Sequence, residues 1–314
     1  MLSDEERAQL ILSPRARLEQ ALAVDDATAT KAVYATVEQL LQMRFATDST
    51  ATARMSAYVF DKHGHEGLGK LPSVVDWLQV AERHRLSADD FREYTRSWQS
   101  EVEALIDGGD GVKVLAEFDR LEDGFRRVHD AHLDWFAVLL SHLYREYGVD
   151  ELETYFRSSV PDPAALVESS IKATPEDRVR GAASFLIGNF GTLTAIDEYE
   201  DRYEVVQDPC GSCGRQAAAD THLLPLNLAV VTERHPLTFD RGETPVYRTH
   251  VAVLHYLLPL EQAGVPCPAV RCPAGLAGGP CHVVIYKDPL DPAANRDPLV
   301  VGVERAVERR TKSS

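Results

Sequence analysis

Residues 111–148 read GVKVLAEFDRLEDGFRRVHDAHLDWFAVLLSHLYREYG and carry the clearest periodic pattern in the chain. Core-type positions recur there at steps of three and four: Val114, Phe118, Leu121, Phe125, Val128, His132, Trp135, Leu139 and Leu143. At about 100° per residue these positions fall on one stripe of a helix. Gly148 stands where a C-cap glycine ends a helix. The stretch predicts one long helix, with His132 buried in the core and facing the C-terminal part of the chain.

Helical patterns also extend on both sides of this stretch, from residue 3 to residue 188. Ser87–Asp90 has the form of a capping box and predicts a helix that runs to about Ile106. Shorter helices are predicted near 150–158, 162–172 and 175–187, each begun by Asp or by Thr-Pro. Residues 1–188 are therefore predicted to form a helical bundle.

The pattern changes after Gly188. Residues 192–198 and 202–208 predict a β-hairpin, and 268–271 and 282–287 predict two further strands. Thr249 begins a predicted helix that ends at Gly264, with Pro259 inside it. The predicted fold is α+β, with an N-terminal helical bundle followed by a small antiparallel sheet with a packed helix. We divide it into a helical region (1–188), an α+β region (189–290) and a C-terminal tail or helix (291–314).

Composition narrows the possible partners of the chain. Its 314 residues carry a formal net charge of −16, which disfavours binding to nucleic acid or to anionic membranes. No apolar run approaches the length of a membrane helix, and the first residues do not resemble a signal peptide. We therefore expect a cytoplasmic protein with reduced thiols and a small-molecule partner. A homo-oligomer is the one further assembly that we expect.

All five cysteines lie in the last third of the chain and include a Cys-x-x-Cys pair. Two thiolates three positions apart on a tight turn can face one Zn²⁺ ion. The candidate metal ligands are Cys210, Cys213, Cys267, Cys272, Cys281 and His250. We predict that Cys210 lies near Cys281 or Cys267. Buried free cysteines and a redox dithiol are the alternatives, although a redox dithiol usually needs a thioredoxin-like setting.

Histidines supply candidates for proton transfer. His250 falls in the first turn of the predicted helix, where the helix dipole favours a neutral imidazole that can bind metal or accept a proton. His255 lies about 140° around an α-helix from His250, so the two should not face one site unless the helix begins later. His132 is the candidate from the helical half.

The turn at 208–215, with sequence DPCGSCGR, is predicted to lie at the mouth of the main pocket. Gly211 and Gly214 are expected to adopt positive φ and expose successive N–H groups. Cys210 is then a metal ligand or nucleophile, and Arg215 binds a substrate carboxylate through a bidentate pair. The alternative is a structural turn in which Arg215 pairs with a surface carboxylate.

Several short segments, in this order, resemble one bacterial family. They are His129-Asp130, Leu143–Gly148, Asp208–Arg215, Tyr247–His250, Glu261–Gly264 and Cys281–Lys287. The chain resembles L-2-amino-thiazoline-4-carboxylic acid hydrolases, which are distantly similar to the ligand domains named after 4-vinyl reductase. The resemblance implies an α+β fold and hydrolysis or binding of a small sulfur- or nitrogen-containing molecule. The family pattern has Gly at the position of Cys213, and this favours Cys210, His250 and Cys281 as site residues.

Two functions remain open at this point. One is a hydrolase-like enzyme, with or without zinc, that uses Cys210, His250, Arg215 and His132. The other is a non-enzymatic small-molecule sensor or accessory protein with a structural zinc site. A closed all-cysteine site would favour the second function, and an open three-ligand site would favour the first.

Overall fold

The computed structural model describes residues 1–24, 26–223 and 225–313. The first ten helices are α1 (Asp4–Leu10), α2 (Pro14–Ala23), α3 (Ala27–Lys70), α4 (Val74–Arg83), α5 (Ala88–Thr95), α6 (Gln99–Asp107), α7 (Gly111–Tyr147), α8 (Val149–Ser158), α9 (Pro163–Lys172) and α10 (Pro175–Gly188). A small sheet region follows. The predicted α+β fold class, with its N-terminal helical region, is confirmed.

Helix α7 is the predicted long helix, and it ends at Gly148 with a φ of 89°. The side chains of the predicted stripe are buried except for those of His132 and Trp135, which are only partly buried. Helix α3 packs along α7 and is interrupted at Gly64, where φ is 64°.

The single helix predicted from Ser87 to about Ile106 is instead two helices, α5 and α6. The capping box of Ser87 and Asp90 is present at the start of α5. The break lies at Trp98, whose backbone N–H donates to Glu38 at 3.0 Å and whose indole donates to the Glu93 carbonyl. Because Trp98 is buried and its N–H is taken by a side chain, the helical hydrogen bonding is interrupted there.

The main sheet has four antiparallel strands in the order β1-β2-β6-β5. Its strands are β1 (Leu193–Glu198), β2 (Arg202–Gln207), β5 (Ala269–Arg271) and β6 (Cys281–Tyr286), and a separate pair is formed by β3 (Val230–Val231) and β4 (Thr244–Pro245). The predicted hairpin and the two later strands are all present. The last part also contains α11 (Cys213–Ala218), α12 (Thr249–Ala252), a π-helical turn (Val253–Leu257), α13 (Leu258–Ala263) and α14 (Pro298–Ser313), together with 3-10 turns at Pro236–Thr238, Val246–Arg248 and Pro292–Arg296.

Two apolar clusters form the core. One lies among the helices between Leu18 and Ala131. The other packs the second half of α7, α8 and α10 against the sheet and α14, and so joins residues from both sides of residue 188. Within the described ranges, none of the helices combines the length and the apolar character needed to cross a membrane.

Candidate metal and ligand site

Strand register brings the cysteines together. Gln207, the last residue of β2, pairs with Cys281, the first residue of β6, so the loop that follows β2 begins beside Cys281. On the other side of β6, Arg271 pairs with His282, which sets Cys272 next to Cys281 in the same antiparallel register. Cys281 is therefore flanked by cysteine-bearing segments on both sides.

Cys210, Cys213 and Cys281 form one compact group. Their sulfur atoms all lie within 4.8 Å of one another, and the Sγ atoms of Cys210 and Cys213 are 3.8 Å apart. All three side chains are buried. The prediction that Cys210 lies near Cys281 is confirmed, and the group can hold a metal ion.

We call Cys210, Cys213 and Cys281 the three-cysteine cluster. The other two cysteines that were predicted as ligands differ in whether they contact it. Cys272 packs against it. Cys267 lies outside it and donates a hydrogen bond from Sγ to Ser170 Oγ at 3.0 Å. The neighbouring His282, which was not a predicted ligand, points to the opposite face of β6, because side chains alternate along a strand, and its Nδ1 lies 2.7 Å from Glu204.

Cys213 is the most acidic thiol of the cluster. Hydrogen bonds from Cys210, Cys272 and Cys281 hold the pKa of Cys213 well below its usual range, and the nearby Arg248 guanidinium lowers it further. Arg248 is buried and bonds the carbonyls of Pro273 and Gly275, and within the described residues no carboxylate pairs with it. A buried cation without a carboxylate partner is costly, so we infer that thiolate charge in the cluster balances Arg248.

The glycines of the 208–215 turn are needed for close packing, not for positive φ as predicted. Neither Gly211 nor Gly214 has positive φ. A Cβ on Gly211 would lie 1.9 Å from the carbonyl oxygen of Asn189, and one on Gly214 would lie 2.9 Å from the Cβ of Cys210. The turn also passes directly into α11 at Cys213. The glycines thus let the cysteine turn press against the end of α10.

Replacing Gly211 with alanine is expected to destabilise the protein by at least about 2 kcal/mol, because the new methyl group meets backbone that cannot move aside cheaply. Gly181→Ala is the control, since a Cβ there, within α10, meets nothing within 4 Å. The control should be neutral or stabilising, because alanine favours helix over glycine. Urea unfolding measures both, and equal stability of the two variants would contradict the packing argument.

A cavity of about 700 Å³ opens beside the cluster, between α10 and the sheet. Its lining includes all five cysteines together with His250 and His255. The α10 positions that face it recur at steps of three and four: Arg178, Gly181, Ala182, Phe185, Leu186 and Asn189. Val283 and Ile285 face it from β6, on the same side of the strand as Cys281. The cavity is thus an apolar channel with the cluster in its wall.

His250 and His255 both line this cavity, whereas regular α-helical geometry predicted that they would not face one site unless the helix began later. The helix between them contains the π-helical turn, in which hydrogen bonds join residues five apart, so residues five apart lie roughly above one another. Pro259 accounts for the irregularity, because it has no N–H to donate to the His255 carbonyl. That carbonyl instead accepts from the Cys267 N–H at 3.3 Å.

Both histidines are neutral. Burial lowers the pKa of His250, and burial together with the neighbouring His250 lowers the pKa of His255 to about 4. The Nδ1 of His250 lies 2.5 Å from the Tyr247 carbonyl, which fixes the proton on Nδ1 and leaves Nε2 as the acceptor. The Nδ1 of His255 is buried and has no hydrogen-bond partner in the described part of the chain. The cavity therefore contains two neutral imidazoles.

Arg215 does not reach this cavity, contrary to the prediction. Its guanidinium pairs with Asp130 on α7, with Nη2 2.6 Å from a carboxylate oxygen, and Nη1 donates to the Phe190 carbonyl at 2.7 Å. A guanidinium whose donors are taken by a carboxylate and by carbonyls is not available to a ligand. Arg215 lines a separate, smaller cavity of about 260 Å³ and ties the turn to α7.

His132 also lies elsewhere than predicted. It is only partly buried, and it packs against Phe45 of α3 and Trp77 of α4, on the helical side of the molecule. The fully buried histidine of α7 is His129, whose Nδ1 lies 2.7 Å from Asp48 and whose ring neighbours Phe190. His132 therefore points inward from α7 as predicted, but at this level α7 packs against α3 and α4 and not against the C-terminal part of the chain.

Four cavity or cluster residues were missed from the sequence: Gln207, His255, Arg178 and Arg248. Gln207 is buried, and its Oε1 has no hydrogen-bond partner among the described residues. Pro259, four residues after His255, was the one sequence signal that the helix is irregular there and that His255 lies at a different angle around it. No local pattern marks the two arginines, because their role depends on which carboxylates lie near them in the fold.

No protein-family model, no curated protein and no solved structure matches this chain.

Proposed function

We propose that this protein binds Zn²⁺ through Cys210, Cys213 and Cys281 and hydrolyses a small sulfur- or nitrogen-containing molecule in the adjoining cavity. One observation carries the proposal: three sulfur atoms within 4.8 Å of one another lie in the wall of a cavity of about 700 Å³. The resemblance of residues 208–215 and 247–250 to the hydrolase family points the same way. Reduced thiols suit a cytoplasmic location.

The donor set fits zinc. Thiolates prefer soft or borderline ions, and three protein ligands with one open position are typical of catalytic zinc. When bound, the ion supplies a Lewis acid that polarises a substrate and activates water. The low pKa of Cys213 and the positive charge of Arg248 favour one thiolate in the cluster. Hydrogen bonds to the neighbouring thiols raise the pKa of Cys210 and of Cys281, so metal binding would release their protons.

The chain's own residues supply the remaining functions. Neutral His250, with Nε2 as an acceptor, can take a proton from water and return it to the leaving group. Gln207 offers a buried acceptor beside the cluster, and Ser212 lies in the turn with its Oγ 3.5 Å from Cys210 Sγ. These polar groups can orient a substrate, while the apolar walls keep bulk water away from it.

Cys272 supports the second candidate function. It packs against the cluster, and as a fourth ligand it would close the coordination sphere. A closed site has no position for substrate, and the protein would then be a ligand sensor or accessory protein with a structural zinc. Cys272 hydrogen-bonds Cys213 and Cys281 but is only partly buried, unlike the three cysteines whose sulfurs all lie within 4.8 Å of one another, and this favours the open site.

The test combines metal content with turnover. Purified protein is expected to contain about one zinc per chain and to release a free thiol from at least one member of a panel of cyclic isothioureas, thioimidates and thioesters. The panel ranges from compact members such as 2-amino-thiazoline-4-carboxylate to members that carry a carboxylate on a long apolar chain. His250→Gln should retain zinc but lower kcat by roughly a hundredfold or more, as expected for loss of a general base. His65→Gln, at an exposed position on α3, is the control and should change neither.

Each remaining outcome has a defined consequence. Zinc without turnover on any member of the panel would contradict the enzyme and favour the sensor. Absence of zinc from protein prepared under reducing conditions with added Zn²⁺ would overturn both functions.

A further inference from the structure

Arg178 is the single arginine, and no lysine, aspartate or glutamate stands beside it, among the described residues that line the cavity. It lies in the first turns of α10, and its Nη2 donates to the carbonyls of Tyr286 at 2.7 Å and Lys287 at 3.3 Å. Its Nε is buried and has no hydrogen-bond partner in the described residues. None of the described carboxylates forms an ion pair with it, whereas Arg180, two residues along, pairs with Glu6 and Asp177.

A guanidinium that has a buried, unpaired Nε–H and no ion pair in the described residues is suited to an anionic ligand. Burial lowers the pKa of Arg178, yet an arginine remains charged at neutral pH. Two backbone carbonyls orient the group. Asp288 and Glu176 lie near enough to raise its pKa, but neither of them forms an ion pair with it in the described residues. A carboxylate can satisfy the guanidinium through a paired, charge-assisted hydrogen bond. A doubly charged phosphate would bring a second negative charge into a channel whose described lining has one arginine and no lysine.

Arg178 and the three-cysteine cluster lie at opposite ends of the channel. Along α10, Arg178 is separated by about 16 Å from Asn189, whose carbonyl oxygen touches the cysteine turn at Gly211. Along β6, Tyr286, which holds Arg178, is separated by about 17 Å from Cys281. Two independent elements thus give the same span for the channel.

The wall between the two ends is apolar. It is formed by Val167, Ala182, Leu186, Val270, Val283 and Ile285. Near the opening, Leu166 and Phe185 also line the channel but are 49% and 63% exposed. No charged group interrupts the path from Arg178 to the cluster.

We propose that the ligand of this channel is an elongated monocarboxylate, with its carboxylate on Arg178 and an apolar body that reaches toward the three-cysteine cluster. The inference deepens the proposed function and rests on it for the identity of the cluster end, where the sulfur- or nitrogen-containing group of the substrate would lie. A compact molecule with its carboxylate beside the reacting group can occupy only one end. The substrate class is therefore an amphipathic acid with a long apolar spacer.

The experiment measures binding of simple probes by isothermal titration calorimetry. The probes are butyrate, octanoate and decanoate, together with decanol and decylamine. Decanoate is expected to bind most tightly, roughly tenfold to a hundredfold more tightly than decanol, as a buried charge-assisted hydrogen bond implies. Arg178→Gln should remove this preference, and Arg178→Lys should retain part of it. Arg180→Gln on the same helix is the matched control and should bind like the unmodified protein.

Equal binding of decanoate and decanol, or a carboxylate preference that survives Arg178→Gln, would overturn the inference, and so would butyrate binding as tightly as decanoate. If circular dichroism shows that Arg178→Gln does not fold, the inference is tested by the affinities for decanoate and decanol in the unmodified protein and in Arg178→Lys. Zinc content measured on the same samples separates the two proposals. Carboxylate preference without zinc would overturn only the proposed function, and zinc without carboxylate preference would overturn only this inference.

Discussion

Replacing Cys281 with serine is expected to lower the affinity for Zn²⁺ by at least about a hundredfold. Loss of a group that merely orients a metal ligand costs about tenfold to a hundredfold, so loss of a ligand should cost at least as much. Cys281 is the strongest choice because it is almost fully buried and is flanked by cysteine-bearing segments on both sides. Competition with a chromogenic chelator under reducing conditions measures the affinity.

Cys267→Ser is the matched control for this prediction. Cys267 lines the same cavity, but its sulfur bonds Ser170 and lies outside the three-cysteine cluster. The control should bind zinc as tightly as the unmodified protein. An equal loss of affinity in both variants would show that the effect comes from general disturbance of the fold, and unchanged affinity in Cys281→Ser would rule out the cluster as the zinc site.

Cys272→Ser distinguishes the open site from the closed one. If three thiolates hold the ion, this variant should retain zinc with an affinity within about tenfold of the original, because Cys272 then acts only as a neighbour. If four thiolates hold it, the loss should match that of Cys281→Ser. The difference in zinc affinity between Cys272→Ser and Cys281→Ser therefore shows whether a coordination position is open to substrate.

The sequence was informative wherever short-range chemistry determines structure. The stripe of α7, the capping box at Ser87 and the stop at Gly264 all depend on residues within a few positions of one another. The hairpin was equally local. Trp98 shows the limit of such patterns, because the break between α5 and α6 comes from Glu38, sixty residues away in sequence.

The site depended mainly on long-range register. Sequence spacing allowed Cys210 to meet either Cys267 or Cys281, and only the pairing of β2 with β6 selects Cys281. Arg215 was misassigned for the same reason, since its partner Asp130 is 85 residues upstream. His255 was dismissed on regular α-helical geometry, which the π turn before Pro259 does not follow. In each case a tertiary contact changed what local periodicity implied.

A second large effect, on the free energy of unfolding, is expected at a buried ionic group formed by Arg44, Asp48 and His129. Asp48 of α3 accepts hydrogen bonds from Arg44 Nε at 2.8 Å and from His129 Nδ1 at 2.7 Å. Arg44 in turn donates to the side chain of Asn189 at 2.7 Å, and Asn189 lines the cavity. The carboxylate thus joins α3, α7 and the end of α10 at the base of the site.

Asp48→Ala is expected to destabilise the protein by about 3–5 kcal/mol, because it leaves Arg44 and His129 without their shared partner in a buried position. Asp119→Ala is the control, since Asp119 pairs with Arg15 at a half-exposed site and should cost no more than about 1 kcal/mol. Urea unfolding at neutral pH measures both variants. A loss of less than about 1 kcal/mol for Asp48→Ala would mean that the buried group does not hold the helices together.

The same carboxylate should make stability depend on pH in the acid range. Burial alone would raise the pKa of Asp48, but hydrogen bonds from His129 and Arg44 outweigh it and hold the pKa below its ordinary value. A depressed folded-state pKa contributes stability that is fully present above the unfolded value of about 3.9 and is lost as pH falls through the folded value. Asp48→Asn should therefore show a shallower loss of stability below about pH 4 than the unmodified protein. Urea unfolding across that range measures the slopes, and parallel curves would mean that Asp48 contributes no pH-dependent stability.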